Sequence, residues 1–509
     1  MAIKWLSAIL LLLSSACIGA EAQTINAASC SSTDVQTALN SVTASTTTVN
    51  IPAGACTWTA PVSLTIPSGS TSLTIQGQSS IAGTCAPGGS CTAADNTTIT
   101  DNVAGTALTI NTASGNSFRL TGLTFNPSSG TPAYGAININ GSSTSVRVDH
   151  NHFNDTVNGD HTFNPDAING VFDHNLFDST NQANIFFIQP TTNGPDGEAN
   201  ATWTVPENFG TNHFLFVENN LFQNGHFAYD CDFGGRLVFR YNIVGTNTAI
   251  QTHGVGSGAQ RRGCRTEEVY GNTFTFSSSP NSNSFAFLVD YESGTGLWWG
   301  NTITGFTTFL REDVVRTNSD TYAQSANPGG WGYCGTNLGP SAWDSNSNSS
   351  GYPCLDQIGR GAGDLLTGSF PNLVNSKTGT IAWPHQALVP VYAWGNTLNT
   401  NSYAPNHYWQ NYDTVSVENR DYYLQLPNVN ENATFNGTAG VGQGLLSARP
   451  TTCTPTVGYW ATDTNTLYTC NTTNTWTAYY TPYTYPHPLT TGSGGATPAA
   501  PTGLQASVN

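Results

Sequence analysis

"VRVDHNHF", residues 146–153, returns down the chain as GVFDHNLF from 170, LFVENNLF from 215, LVFRYNIV from 237, EVYGNTF from 268, GLWWGNTI from 296 and VYAWGNTL from 391. The aligned asparagines are Asn151, Asn175, Asn220, Asn242, Asn272, Asn301 and Asn396, at intervals of 24, 45, 22, 30, 29 and 95 residues. One unit is thus about 22 to 24 residues, the interval of 45 reads as two units, and the longer intervals read as units with insertions. A repeat of this length marks a solenoid, whose units bury their apolar faces only by stacking.

Alternation decides which solenoid. Three residues before each Asn stand Val148, Phe172, Val217, Phe239, Val269, Trp298 and Ala393, and two residues after it Phe153, Phe177, Phe222, Val244, Phe274, Ile303 and Leu398. These columns are expected to point inward on two strands joined by a turn at the Asn. Helical periodicity is absent, which excludes TPR-like and ankyrin-like arrays and leaves a parallel β-helix. Each Asn is then scaffold, its amide donating to the carbonyl of the copy on the next coil. Two residues before each Asn runs an outward column, Asp149, Asp173, Glu218, Arg240, Tyr270, Trp299 and Trp394, whose drift from acid to aromatic suits a solvated strand face better than one reaction. His150 beside His174, with Asp149 near, offers a metal site as the alternative to hydrogen-bonded surface histidines.

Composition narrows the class. Lys and Arg total 14 against 31 acids, net −17, so nucleic acid held by phosphate neutralisation is not expected. The abundance of Gly, Asn, Thr and Ser, with 38% hydrophobic residues, suits many short strands around a sizeable core. The start, MAIKWLSAILLLLSSACIGAEAQ, has Lys4, an apolar run from Leu6 to Leu13 and small residues up to Ala22, which reads as a secretory signal over residues 1–22. Cys17 leaves a lipoprotein open as an alternative, although Ser14 is a poor lipobox residue. No later apolar run is long enough to span a bilayer. The other ten cysteines fall into sequence-local couples, Cys30 with Cys56, Cys85 with Cys91, Cys231 with Cys264, Cys334 with Cys354 and Cys453 with Cys470, expected as disulfides of a secreted, extracellular protein.

The stretch GAININGSSTSVRVDHNHF, 135–153, resembles the pectate-lyase superfamily pattern, in which a strand, a short turn and a v-x-I-D-H-x-x-F strand follow one another. STDVQTALNSV, 32–42, fits an amphipathic helix capping the first coil, and TVNIPAGACTWTAPVSLTI after it is similar to the opening of right-handed β-helix proteins. The likeness spans about residues 30–440 and implies the pectin-lyase fold, which carries lyases, hydrolases, esterases and tail-spike adhesins. An R-x-P-x-x-R segment is missing, so the arginine base of classical pectate lyases has no counterpart here. AYDCDFGG, 228–235, and QTHGVGSG, 251–258, resemble the aspartate strand and H-G element of polygalacturonase-type hydrolases, without that family's R-I-K element.

Chemistry is expected on the strand that precedes the repeat in each coil: HFAYDCD (226–232), TAIQTHG (248–254), FAFLVDYE (285–292) and TFLRED (308–313). Phe227, Tyr229, Cys231, Ile250, Phe285, Phe287 and Val289 are read as inward. Asp230, Asp232, Gln251, His253, Asp290, Glu292, Arg311 and Asp313 are read as an outward polar strip crossing consecutive coils. A linear polymer suits such a strip. In β-elimination from a uronate, the reading placed first, His253 or Arg311 is the base. In hydrolysis Asp230 or Asp232 works with Asp290. A non-catalytic carbohydrate-binding or adhesive solenoid is the third reading. Arg261, Arg262 and Arg265 are expected to bring positive charge for an acidic substrate, unless they merely pair with Glu267 and Glu268. Calcium held by Asp232, Asp290 and Glu292 would add more.

The insertion 317–367 carries Trp331 and Trp343 as sugar-stacking candidates, with Asp356 and Arg360 as further polar ones. The expected organisation is a signal peptide (1–22), an all-β right-handed parallel β-helix with an N-terminal capping helix (23–440), a small C-terminal β module or cap (441–490) and a flexible tail (491–509). The product is read as a secreted, carbohydrate-active monomer acting on a polysaccharide.

Overall fold

The structure, a computed structural model, describes residues 22–127, 136–154, 161–178, 184–188, 199–223, 227–245, 249–254, 263–276, 287–312, 356–363, 374–375, 380–381, 386–399, 408–411, 416–425 and 435–491. Three long parallel sheets carry the chain, a first of 12 strands and a second and third of 10 each. One coil shows the path: Ile137–Asn140 lies in the third sheet, Ser145–Asp149 in the first, His152–Asn154 in the second, and the chain re-enters the third at His161–Asp166. Pairing is in register from coil to coil, Val148 beside Phe172 and Phe172 beside Val217. This is the right-handed parallel β-helix that the repeat implies, with the winding sense that crossovers between parallel strands take.

The corner between first and second sheets explains the repeat. The residue before each asparagine is left-handed: His150 at φ 56°, His174 at 56°, Asn219 at 57°, Tyr241 at 55°, then Gly271, Gly300 and Gly395. Four non-glycines therefore accept a backbone that favours glycine. The asparagine that follows compensates. Each Nδ2 donates to the next Oδ1, from Asn151 to Asn175 at 3.1 Å, then through Asn220, Asn242, Asn272 and Asn301 to Asn396. The same Oδ1 atoms also accept backbone N–H groups, as Asn175 does from Asn151. The row ends where Asn396 donates to the Tyr408 hydroxyl at 2.9 Å. Asn175 and Asn220 are direct neighbours in it, so their interval is one coil with an insertion and not two units.

Both columns read as inward lie in the central core, Val148 to Ala393 on the first sheet and Phe153 to Leu398 on the second. Phe153, Phe177 and Phe222 stack face to face at centroid distances of 5.1 and 4.8 Å. The capping helix Ser32–Asn40 starts at Ser31, whose side chain accepts from the Asp34 N–H, and buries Val35, Ala38 and Leu39 at the open end of the core. Four of the expected disulfides are present, Cys30–Cys56, Cys85–Cys91, Cys231–Cys264 and Cys453–Cys470, while Cys334 and Cys354 lie outside the described residues. Among the described residues no helix is long and apolar enough to cross a membrane.

The outward column of the first sheet is not solvated. Asp149, Asp173, Glu218, Arg240, Tyr270 and Trp394 are buried, and Trp299 is half-buried. A four-stranded sheet, Val441–Gly444, Gly458–Ala461, Thr466–Thr472 and Thr475–Tyr480, packs Val441, Trp460, Leu467 and Tyr480 with Leu297, Tyr392 and Trp394. The chain then runs on as a strap over the charged coils. The Tyr480 hydroxyl donates to Glu268, Arg240 to the carbonyls of Tyr483 and Thr484, and Arg147 to those of Leu489 and Thr490. Glu218 accepts the His487 N–H at 2.8 Å. Beneath the strap the acids and arginines satisfy one another, Arg147 with Asp173 at 2.8 Å and Arg240 with Glu218 at 2.6 Å. Buried ions are tolerated only when paired in this way. The expected small C-terminal β module is thus this four-stranded sheet, and the chain after it covers one flank of the solenoid.

His150 and His174 are also scaffold. Their rings stack at 5.2 Å and 2°, with Nδ1 2.7 Å from Asp149 and Asp173 respectively. Rings related by so long a translation cannot place equivalent nitrogens at ~2.1 Å from one ion.

Candidate functional site on the third sheet

Register sets the strip. Along the third sheet Asp230 pairs with Gln251, Gln251 with Asp290, Asp290 with Arg311, and Arg311 with Gln410. Two residues further along the chain, Asp232, His253 and Glu292 form a parallel second row, as the His253 N–H donating to the Cys231 carbonyl and the Glu292 N–H to the Thr252 carbonyl require. A parallel sheet thus gathers polar groups that lie as far apart in the chain as Asp230 and Gln410. Gln410 was not foreseen, because it lies in HYWQN, after which the asparagine repeat no longer marks the coil.

Depth divides the strip into two tiers. Asp230, Asp232, Asp290 and Glu292 are buried. The side chains of His253 and Arg311 are 26% and 25% exposed and face outward above them. His253 Nδ1 lies 2.8 Å from Asp230 Oδ1, an ion pair between adjacent strands. Arg311 holds Asp290 Oδ1 at 2.9 Å through Nη2, and its guanidinium lies over the Phe287 ring at 3.9 Å. Phe287 is therefore under the arginine and not inward as expected, and its neighbour Leu288 lies in the core instead. Phe227 likewise stands outside the central core cluster, while Tyr229, Cys231, Ile250 and Val289 lie in it.

The His253 backbone is fixed as firmly as its ring. Its carbonyl accepts from the Cys264 N–H at 3.0 Å and the Ser293 hydroxyl at 2.6 Å, and Cys264 is joined to Cys231, the residue between Asp230 and Asp232. Burial by itself lowers the imidazole pKa. Asp230 outweighs it by charge and hydrogen bonding, aided by Glu292 and Asp232, and the value rises to about 10. His253 is a cation at neutral pH. A cationic imidazole is the form that donates a proton or stabilises negative charge, not the form that abstracts a proton.

Other expected members fall elsewhere. Arg265 is completely buried, 2.7 Å from Glu207 Oε1 and above Trp203, so it is no substrate ligand. Its pairing with Glu267 or Glu268 is not observed either. Glu268 accepts from Gly210 and Tyr480, and Glu267 points into the core to the Tyr229 hydroxyl. Burial pushes the Glu267 carboxyl well above the ordinary range. Asp356 accepts the Gly263 N–H and a Gln386 amide N–H, and Arg360 pairs with Asp421 at 2.5 Å, both as buried braces. Arg261, Arg262, Asp313, Trp331, Trp343 and Phe285 lie outside the described residues.

The three acids expected to bind calcium do not form a group whose oxygens all lie within 4.8 Å of one another. Asp232 accepts the Phe233 N–H, Glu292 accepts the Gly254 N–H, and Asp290 is held by Arg311. Among the described residues, the three donors that come within 4.8 Å of one another are Cys231, Cys264 and Glu267, whose cysteines form a disulfide.

No family model and no curated protein matches the chain. Among solved structures it is similar to an alginate lyase from Paenibacillus sp. str. FPU-7, at 14% identity and a TM-score of 0.31, over 55% of this chain and 95% of that one. It is also similar to the catalytic domain of a GH87 α-1,3-glucanase in complex with nigerose, at 11% identity and a TM-score of 0.28, over 77% of this chain and 68% of that one. At these scores the likeness bears on neither the activity nor the site.

Proposed function

We propose that this chain is an exported enzyme that cleaves an acidic polysaccharide laid across the outward face of the third sheet, by acid–base hydrolysis. One observation carries the reading: the two half-buried ionisable groups of the strip, His253 and Arg311, are cations, each seated on a buried carboxylate. An incoming polymer meets positive charge first, although the chain as a whole is at −17. Anchored cations of this kind hold a uronate carboxylate with little loss of side-chain freedom.

The proton inventory favours hydrolysis over elimination. The Asp230–His253 pair has a proton to give to a glycosidic oxygen. Asp290 stands two strands from Asp230, about 9.6 Å at the backbone. Such a separation leaves room for an attacking water between acid and base, as in inverting hydrolases. Four disulfides and the apolar leader support export.

The test is a panel of polygalacturonate, alginate and neutral glycans, followed by reducing-end release and by the ultraviolet absorbance of unsaturated ends. Reducing ends from an acidic polymer without unsaturation, lost in His253→Ala, are expected. Unsaturated ends would restore elimination, and binding without cleavage by the intact chain would leave a carbohydrate-binding solenoid.

A further inference from the structure

The column that the strap covers continues, uncovered, toward the capping helix. By register Asp149 follows Thr121, Thr121 follows Gln76, and Gln76 follows Asn50 and Asn26. The strap's last carbonyl contacts are those to Arg147. Beyond them the column changes from ions to amides: Gln76 Nε2 donates to Asn50 Oδ1 at 2.7 Å, and Asn50 Nδ2 donates to Asn26 Oδ1 at 2.8 Å. These side chains line an open pocket of 360 Å³ with Ala27, Ile51 and Pro52 beside them and Gln78 at its edge.

We propose that this amide row is a binding site for a neutral glycan, separate from the third-sheet strip and independent of what that strip does. No charged side chain lines the pocket, so an ionic ligand finds no Coulomb partner in it. Hydroxyl groups both donate and accept, and so match primary amides, each of which keeps a second N–H after its bond within the row. The bonds within the row hold the amides in one orientation, which removes the rotamer cost of binding. Polar groups recur at the strand spacing of ~4.8 Å, about the length of one pyranose ring. Pro52, half-buried beside the row, gives the apolar contact that a ring's C–H face takes up.

Affinity electrophoresis and calorimetry of the full chain against galactan, xylan and β-glucan, with polygalacturonate as the acidic comparison, test this. At least one neutral polymer is expected to bind, and the Asn50→Ala, Gln76→Ala double variant to weaken it about tenfold or more. His253→Ala is expected to leave that affinity unchanged, which separates this site from the proposed enzyme site. Gln76→Glu keeps the shape while adding charge, and is expected to weaken binding with an unaltered melting curve. Absence of binding to every neutral polymer, or full affinity in the folded double variant, would overturn the proposal.

Discussion

His253 concentrates the chemistry of the strip in one proton. Its pKa is raised from 6.5 to about 10, so its ion pairing stabilises the fold fully below pH 6.5, and that contribution is lost as pH rises through about 10. NMR titration of the imidazole is expected to give a value far above neutrality, and Asp230→Asn to bring it down. Activity is expected to fall at least about 10²-fold in His253→Ala, with a lowered melting midpoint near neutral pH, because Asp230 stays buried without its cation. Asn220 is the contrasting residue, with no chemistry and much structure. It accepts from Asn175 and donates to Phe172, Glu218 and Asn242. Asn220→Ala leaves several buried groups unsatisfied, at a cost of about 3 kcal/mol, to be read as a lowered denaturation midpoint. Asn220 was legible as scaffold because its column repeats seven times. The strip was legible only in part: alternation placed Asp230, His253, Asp290 and Arg311 on one face, but the protonation of His253 depends on a cross-strand contact that spacing does not encode. Arg265 was misplaced for a similar reason, since its position follows from Glu207 and Trp203 in a distant insertion.

At the scale of elements, the strap is a pH-sensitive piece. His487 lies among Arg240, Arg147, Asp173 and Glu218, with Phe216 and Tyr483 against its ring. Burial, and then Arg240, lower its pKa from 6.5 to about 4, while its Nδ1 accepts the Leu489 N–H. A base depressed in the folded state contributes stability above pH 6.5 and loses it as pH falls toward 4. Hydrogen exchange over 480–491 is expected to accelerate across that window, by up to on the order of 3 kcal/mol of local stability. His487→Asn should flatten the dependence, and an unchanged profile would assign it to other groups. The strap also shows why the outward column was misread. Asp149 to Trp394 alternate as a solvated face would, and their cover comes from residues far downstream with no repeat of their own. The inward columns needed no such partner and were read correctly.

At the scale of the molecule, net charge and local charge oppose each other. The −17 chain repels an acidic polymer at long range, with screening beyond about 8 Å at physiological salt. The anchored cations attract it only on contact. KM for an acidic substrate is therefore expected to fall as ionic strength rises from about 0.01 to 0.15 M. A monotonic rise would show that the local cations dominate at all distances. The architecture itself was plain from the asparagine repeat, because a stacked coil must place identical groups at identical corners. The strap adds a consequence for biosynthesis. Its ligands, Arg147, Glu218, Arg240 and Glu268, belong to four different coils, and its own residues are made after all of them. It can close only on a solenoid already wound in the right register, so a segment synthesised after those coils acts as a proofreader of their winding.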